Sequence, residues 1–126
     1  MPQAWRLGLG ENAGVAYDER LAERIRDLFA REPGVSEMRM FGGLAFLIEG
    51  NMAVAASERG GLMVRIAPEE TAALLDEPHA GPFEMRGRAM DGWLRVDDAG
   101  LRTDAELGKW VDRGITFARS LPPKAD

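Results

Sequence analysis

The segment between Ser36 and Ile66 constrains the fold most, because its apolar residues recur with a period of two and glycines interrupt it at short intervals. Its apolar runs are SEMRMF, LAFLIEG, MAVAAS and LMVRI, separated by Gly42-Gly43, Gly50-Asn51 and Arg59-Gly60-Gly61. Such runs bounded by glycine turns are typical of β-hairpins. The connections are far too short for the crossovers that parallel strands need. We therefore predict three or four consecutive antiparallel strands.

Helical patterns flank this segment on both sides. The first helix is predicted within DERLAERIRDLFARE, capped by Asp18 and ended by Pro33 and Gly34, and a short helix within PEETAALLDE begins at Pro68. The last helix is predicted within TDAELGKWVDRGITFARSL, where Thr103 and Glu106 match a capping box. The predicted apolar faces consist of Leu21, Ile25, Leu28 and Phe29 in the first helix, and of Leu107, Trp110, Val111, Gly114, Phe117, Ala118 and Leu121 in the last.

Two further short strands are predicted between the second and third helices, at Phe83 to Met85 and Trp93 to Val96. The order of elements is then α-β-β-β-β-α-β-β-α. Strands that are clustered between helices, rather than alternating with them, indicate an α+β fold. We expect two layers, with an antiparallel sheet of about five strands and the helices packed on one face.

A chain of 126 residues is long enough for one compact domain, which we place at residues 17–121. Residues 1–16 are glycine-rich and lack a period, so we predict a loose N-terminal extension; a misassigned start codon, with the true start at Val15, would explain it. Residues 122–126 are predicted to be a frayed tail. The N-terminus is a poor signal peptide and no apolar run approaches the length of a membrane span, so we expect a cytoplasmic protein without membrane contact.

The composition predicts neither a metal site nor a cofactor. The chain has no cysteine, and its single histidine, His79, lies in a predicted loop, where we interpret it as a solvated residue rather than a ligand or a general base. No catalytic triad can be assembled around one loop histidine. The formal net charge of −5 argues against general nucleic-acid binding, although it leaves room for a local basic patch.

The segment MRMFGG, from Met38 to Gly43, resembles a glycine-rich phosphate loop at first sight. It matches neither the dinucleotide fingerprint nor the P-loop, because a strand-like run without lysine follows the glycines. We interpret Gly42 and Gly43 as a tight bend between strands. Arg39 stands within the preceding strand, where it forms either a structural salt bridge or a contact to an anion or a partner.

A second segment of interest, MRGRAMDGWLRV, interleaves Arg86, Arg88 and Arg95 with Trp93, as at a nucleic-acid or protein interface. Nearby carboxylates nearly balance this charge, and we assign Trp93 to the core because it alternates with its neighbours. Six methionines are interpreted as core-filling residues: Met38, Met40, Met52, Met63, Met85 and Met90.

The chain resembles the TfoX N-terminal domain family, particularly its short stand-alone bacterial members, from about residue 17 to about residue 124. The resemblance is carried by YDERLAERIRDLF, VSEMRMFGGLAFLIEGNMAVAAS, GGLMVRI, MRGRAMDGWLRV and LGKWVDRGITFARSLPPK, and its most specific part is RMFGG followed by a hydrophobic strand and NMAVA. The family pattern begins near Tyr17, which supports an extension before it.

The resemblance implies an α+β fold similar to that of type III secretion chaperones, with no catalytic residues to assign. The longer members regulate competence for DNA uptake, are thought to act with the cyclic-AMP receptor protein, and carry a helical C-terminal domain. Because this sequence ends soon after its last predicted helix, we expect that domain to be absent, which leaves a role in competence open.

We therefore predict a non-enzymatic regulatory or adaptor domain that acts by protein association, through an exposed face or edge of the sheet. Arg39, Phe41 and Arg65 are the proposed anchors, and the occupant is a protein partner or a second copy in a dimer. Two alternatives stay open. The first is nucleic-acid contact through Arg86, Arg88, Arg95 and Arg102, and the second is a small-ligand binder or an enzyme with a polar pocket at His79 or Arg39.

Overall fold

The computed structural model describes residues 17–40 and 42–124, so the predicted loose extension at 1–16, Phe41 and residues 125–126 lie outside the described residues. The described chain contains three α-helices and six strands. In chain order these are α1 (Glu19–Leu28), β1 (Val35–Met40), β2 (Gly43–Ile48), β3 (Asn51–Ala56), β4 (Leu62–Arg65), α2 (Thr71–Leu74), β5 (Ala80–Met85), β6 (Arg88–Val96) and α3 (Asp104–Ser120). The predicted α+β class and the predicted order of elements are confirmed.

All six strands form one antiparallel sheet in the order β1-β2-β3-β4-β6-β5. The sheet therefore has six strands rather than about five. The strands predicted at residues 83–85 and 93–96 are longer in the structure, because β4 on one side and the β5–β6 hairpin itself supply pairing partners along their length. The outermost strands are β1 and β5.

Two of the hairpins close through two-residue loops with left-handed backbone. Glu49 and Gly50 connect β2 to β3 with φ of +50° and +83°, and Arg86 and Gly87 connect β5 to β6 with φ of +55° and +78°. Positive φ at both central residues is typical of the type I′ turn, whose twist matches that of the flanking strands.

The helices pack on one face of the sheet, and this interface is the main core. Alternate side chains of the central strands meet α1 and α3 there. The largest completely buried side chains of this core, from strands, helices and loops together, are Trp110, Phe46, Ile25, Ile48, Leu62, Ile66, Leu94, Leu101 and Leu107. The predicted face of α3 is confirmed for most positions, but Phe117 and Leu121 are only partly buried and Ile115 is buried instead.

The predicted helix caps are confirmed. The Asp18 carboxylate accepts from the backbone N–H groups of Arg20 and Leu21, at 2.9 and 3.3 Å. Thr103 and Glu106 form a reciprocal capping box at the start of α3. Satisfying otherwise unpaired N–H groups in this way is worth about 0.5–2 kcal/mol for each cap.

The first two helices are shorter than predicted. α1 ends at Leu28, which is 38% exposed, and Phe29 takes the core position, with its ring 5.4 Å from the Phe46 ring. Ahead of α2, Pro68–Glu70 form a 3-10 turn. The Thr71 hydroxyl donates to the Pro68 carbonyl and accepts from the Gly92 N–H, both at 2.8 Å. This side-chain link ties the start of α2 to β6.

Part of the segment predicted as a frayed tail is hydrogen-bonded to the β2–β3 hairpin. The Asn51 side chain donates to the Pro122 carbonyl at 2.9 Å, and the Lys124 N–H donates to the Glu49 carbonyl at 2.8 Å. Residues 122–124 therefore extend the packing of α3 onto the sheet.

Candidate functional site

The signature segment MRMFGG forms the end of β1, the turn and the start of β2. Met40 pairs with Gly43, and Gly42 has a φ of +79°, while Phe41 lies outside the described residues. A Cβ atom on Gly43 would lie far inside van der Waals contact with the backbone oxygen of Ala56. The interpretation of the two glycines as a bend between strands is confirmed: one needs a left-handed backbone and the other needs close approach to a neighbouring strand.

Strand β1, which this hairpin presents, is an edge of the sheet. The Glu49 N–H donates to the Gly34 carbonyl at 2.8 Å, which sets the phase of the β1–β2 ladder. Because hydrogen-bonded and non-hydrogen-bonded pairs alternate in an antiparallel ladder, every second residue from Gly34 onward bonds to β2. The backbone N–H and C=O groups that point away from the sheet therefore belong to Val35, Glu37 and Arg39.

The side chains of Glu37 and Arg39 lie on the helix side of this edge. Arg26 of α1 donates to both carboxylate oxygens of Glu37, at 2.6 and 2.9 Å. The Arg39 guanidinium lies 5.9 Å from the centre of the Tyr17 ring. Arg39 was predicted to form either a structural salt bridge or a contact to an anion or a partner. Within the described residues no carboxylate lies within 4 Å of its guanidinium, so the structure contains no internal salt bridge there.

The hydrogen bond from Arg26 lowers the pKa of the Glu37 carboxyl below its ordinary value, and partial burial opposes this shift. Because the pKa is lower in the folded state than in the unfolded chain, the pair stabilises the fold above the unfolded pKa. This stabilisation is lost as the pH falls through the folded pKa.

We expect Glu37→Gln to lower the free energy of unfolding by about 0.2–1 kcal/mol at neutral pH, as for other partly exposed ion pairs. The difference from the wild type should shrink below about pH 4 and vanish once the wild-type carboxyl is protonated. Urea unfolding at several pH values measures it, with Glu84→Gln on the other edge strand as the control. A difference that is constant from pH 7 to pH 2 would contradict the ion pair.

The opposite edge of the sheet differs in its backbone chemistry. Strand β5 contains Pro82, which has no N–H group, and its register with β6 shifts between Pro82 and Glu84. Proline and bulges are the features by which sheets prevent further strands from adding at an edge. Of the two edges, β1 is therefore the one whose backbone can accept another strand.

The face of the sheet away from the helices carries a second, smaller apolar cluster, which we call the open face. Its buried members are Ala45, Leu47, Ala55 and Met63, with Met40, Met52, Phe83 and Trp93 packed against them. None of the three described helices contributes to it. Met38, on the same side of β1, is 51% exposed. The assignment of all six methionines to core filling is thus wrong for Met38 and for Met90, which is 38% exposed.

The other predicted site residues lie at three separate places. Arg65 is at the end of β4, with its guanidinium carbon 5.5 Å from the centre of the Trp93 ring and 5.4 Å from the centre of the Phe117 ring. Since β2 and β3 lie between β1 and β4, Arg65 and Arg39 are separated by roughly 14 Å across the sheet. They do not form one anchor pair.

The arginines of the second segment are also divided between two places. Arg86 and Arg88 are exposed at the tip of the β5–β6 hairpin. Arg95 is used inside the chain: its guanidinium donates to the Ser57 hydroxyl at 3.1 Å and to the Gly60 carbonyl at 2.8 Å, and thereby holds the β3–β4 turn. Trp93, predicted as core, is partly buried in the open face.

A small-ligand pocket was predicted at His79 or at Arg39. His79 is exposed and borders a cavity of about 150 Å³ with Glu106 and Lys109. This is below the roughly 300–1,000 Å³ typical of small-molecule sites. A cavity of about 330 Å³ that was not predicted lies between α3 and the segment that follows β4. Nη1 of Arg113, one of its lining residues, is buried and has no hydrogen-bond partner among the described residues. Among the described residues, no group of three potential ligands could hold a metal ion.

Arg39 was predicted as a site residue, whereas Glu37 and Met38, which are exposed beside it on the same strand, were not. A signal was present: in Glu37-Met38-Arg39 two opposite charges flank an apolar residue at a spacing of two. Its meaning depends on β1 being an edge, which the sequence does not reveal.

The family model of the TfoX N-terminal domain matches residues 27–118, which cover all six strands and most of α3. No curated protein matches the chain. Within residues 17–40 and 42–124, every helix is too short or too polar to cross a membrane.

Proposed function

Because this chain belongs to the TfoX N-terminal domain family, a family of regulatory domains, we propose that it is a non-enzymatic, cytoplasmic regulator or adaptor. It acts by associating with another protein chain rather than by chemistry. The observation that carries this proposal is the exposed edge strand β1, with outward-facing backbone groups at Val35, Glu37 and Arg39.

An edge strand of this kind recognises a partner through its main chain. An extended segment that adds to the sheet forms backbone hydrogen bonds with the edge, and its side chains alternate between the two faces. On the helix side they would meet Glu37 and Arg39, and on the other side they would meet Met38 and the rim of the open face. The charges and the apolar residue supply specificity, because the backbone alone is common to all sequences.

Arg39→Pro tests the edge directly. The Arg39 N–H points away from β2, so proline removes a donor that the fold does not use while blocking the addition of a strand. Arg39→Ala is the matched control, because it removes the same side chain but keeps the N–H group. We expect the tagged wild type to retain protein partners from a lysate of its source cells after nuclease treatment, Arg39→Ala to retain part of them, and Arg39→Pro to lose them.

Thermal unfolding of both variants shows whether each is folded. Partners that remain bound to a folded Arg39→Pro variant would contradict association through β1. Partners that disappear with nuclease would favour the alternative of nucleic-acid contact, which the exposed Arg86 and Arg88 support. Against that alternative stand the net charge of −5 and the internal hydrogen bonds of Arg95.

A further inference from the structure

We infer that the strand received at this edge is β1 of a second copy of this chain, paired antiparallel about a twofold axis at Met38. The inference rests on the proposed function, since it names the occupant of the same edge. It would join two six-stranded sheets into one continuous sheet.

The phase of the β1 backbone restricts how two copies can pair. Hydrogen-bonded pairs across the axis can form only between outward-facing residues, which are Val35, Glu37 and Arg39. Two registers then overlap five of the six residues of β1, with the axis at Glu37 or at Met38, whereas an axis at Ser36 or at Arg39 overlaps only three.

Charge decides between these registers. An axis at Glu37 places two carboxylates directly opposite each other, and an axis at Arg39 does the same with two guanidinium groups. An axis at Met38 places Glu37 of each copy opposite Arg39 of the other. Opposite charges in direct cross-strand pairs stabilise a sheet and like charges destabilise it. The register with its axis at Met38 is therefore favoured, and the twofold symmetry gives it two identical pairs of Glu37 with Arg39.

The surroundings of Glu37 suit this arrangement. Arg26 already holds the carboxylate on the helix side of the edge, at 2.6 and 2.9 Å. A carboxylate has about four lone-pair sites, so it can accept from a second guanidinium as well. The Arg39 guanidinium makes no hydrogen bond within the described part of the chain, and its side chain is exposed for the second copy.

The same register accounts for the exposure of Met38. Met38 of the two copies would face each other across a non-hydrogen-bonded pair, where side chains come closest. Met40, two residues along β1, already packs on the open face. The paired methionines would therefore join the open faces of the two copies into one apolar surface, with the 51%-exposed Met38 covered at its centre.

Site-specific disulfide formation tests the register, because the chain has no cysteine of its own. Met38→Cys should form a covalent dimer rapidly under mild oxidation, since residues on the axis lie within the roughly 4.4–6.8 Å between Cα atoms that a disulfide spans. Glu37→Cys and Arg39→Cys report the registers with the axis at those residues, and Met90→Cys is the control for an exposed methionine elsewhere. Crosslinking of Met38→Cys no faster than of Met90→Cys would overturn the inference, as would faster crosslinking at residue 37 or 39.

Sedimentation equilibrium of the purified chain tests the charge pairs. We expect Arg39→Glu to weaken the dimer by about tenfold or more, because it places like charges opposite each other at two symmetric positions. Adding Glu37→Arg and Arg26→Glu to Arg39→Glu should restore most of the affinity, because it reverses the cross-strand pair and keeps opposite charges at positions 26 and 37. Arg88→Glu, the same charge change at the distant hairpin tip, should leave the affinity unchanged. A folded triple variant as weak as Arg39→Glu alone would overturn the pairing.

The two proposals fail separately. A wild-type chain that is monomeric at all concentrations, but that loses its protein partners in the Arg39→Pro variant, would overturn the dimer and leave the proposed function standing. A chain that dimerises as expected but captures no other protein would leave the dimer standing and remove the adaptor role.

Discussion

Gly114→Ala is expected to destabilise the protein by about 1–3 kcal/mol, even though alanine is the better helix former. Gly114 is buried in the middle of α3, at the point where this helix crosses β3. A Cβ atom there would collide with the backbone oxygen of Ala53 and lie 2.7 Å from Cγ1 of Val54. Since the backbone of a central strand cannot move aside as a flexible side chain could, the helix itself must shift away from the sheet.

Gly108→Ala is the matched control in the same helix. Nothing lies within 4 Å of a Cβ at Gly108, so this substitution should stabilise the protein by about 0.5–1 kcal/mol through helix propensity alone. Urea unfolding of the wild type and both variants measures the difference. Because the propensity gain is common to both variants, the gap between them isolates the close contact of α3 with β3. Equal stabilisation by the two substitutions would contradict that contact.

Gly43→Ala is expected to lower the free energy of unfolding by about 1–3 kcal/mol, and this loss should appear in the purified chain without any partner. Gly43 is buried at the start of β2, and its backbone approaches the Ala56 carbonyl of β3 so closely that no side chain fits. The second glycine of MRMFGG is thus needed for the close approach of β2 to β3. The hairpin that it permits determines where β1 lies and which of its backbone groups face outward.

Gly81→Ala is the corresponding control, because Gly81 also lies in a strand and nothing is found within 4 Å of its Cβ position. Its effect should stay within about 0.5 kcal/mol. Thermal or urea unfolding of both variants, together with sedimentation of the folded species, separates stability from association. If Gly43→Ala kept full stability and lost only association, the glycine would be part of the binding surface rather than of the bend.

The two glycines of the family signature and its arginine have different roles. In RMFGG, Gly42 supplies a positive φ and Gly43 permits close approach, while Arg39, in the strand before them, is exposed at the sheet edge. A mutation in the glycines would therefore act through the fold, and a mutation at Arg39 would act through association. Measuring both quantities for each variant distinguishes these roles.

Local features of this chain could be predicted from the sequence because they depend on residues close together. Asp18 caps α1 and Thr103 with Glu106 caps α3, since a cap involves only one turn of chain. The order of elements and the antiparallel meander likewise follow from periodicity and from glycines at the hairpins. The alternation of side chains then determined that Glu37 and Arg39 lie on one side of β1 and Met38 on the other.

Only the tertiary structure determines which strands are edges of the sheet and which arginine side chains are used in internal hydrogen bonds. β6 inserts between β4 and β5, an arrangement that depends on long-range pairing and leaves β1 exposed. Arg95 and Arg39 look equivalent in the sequence, yet one is hydrogen-bonded to the β3–β4 turn and the other lies at the open edge. Gly114 and Gly108 stand in one helix, and only the position of β3 beneath it separates them. These differences arise from contacts between residues far apart in the chain, which no local pattern records.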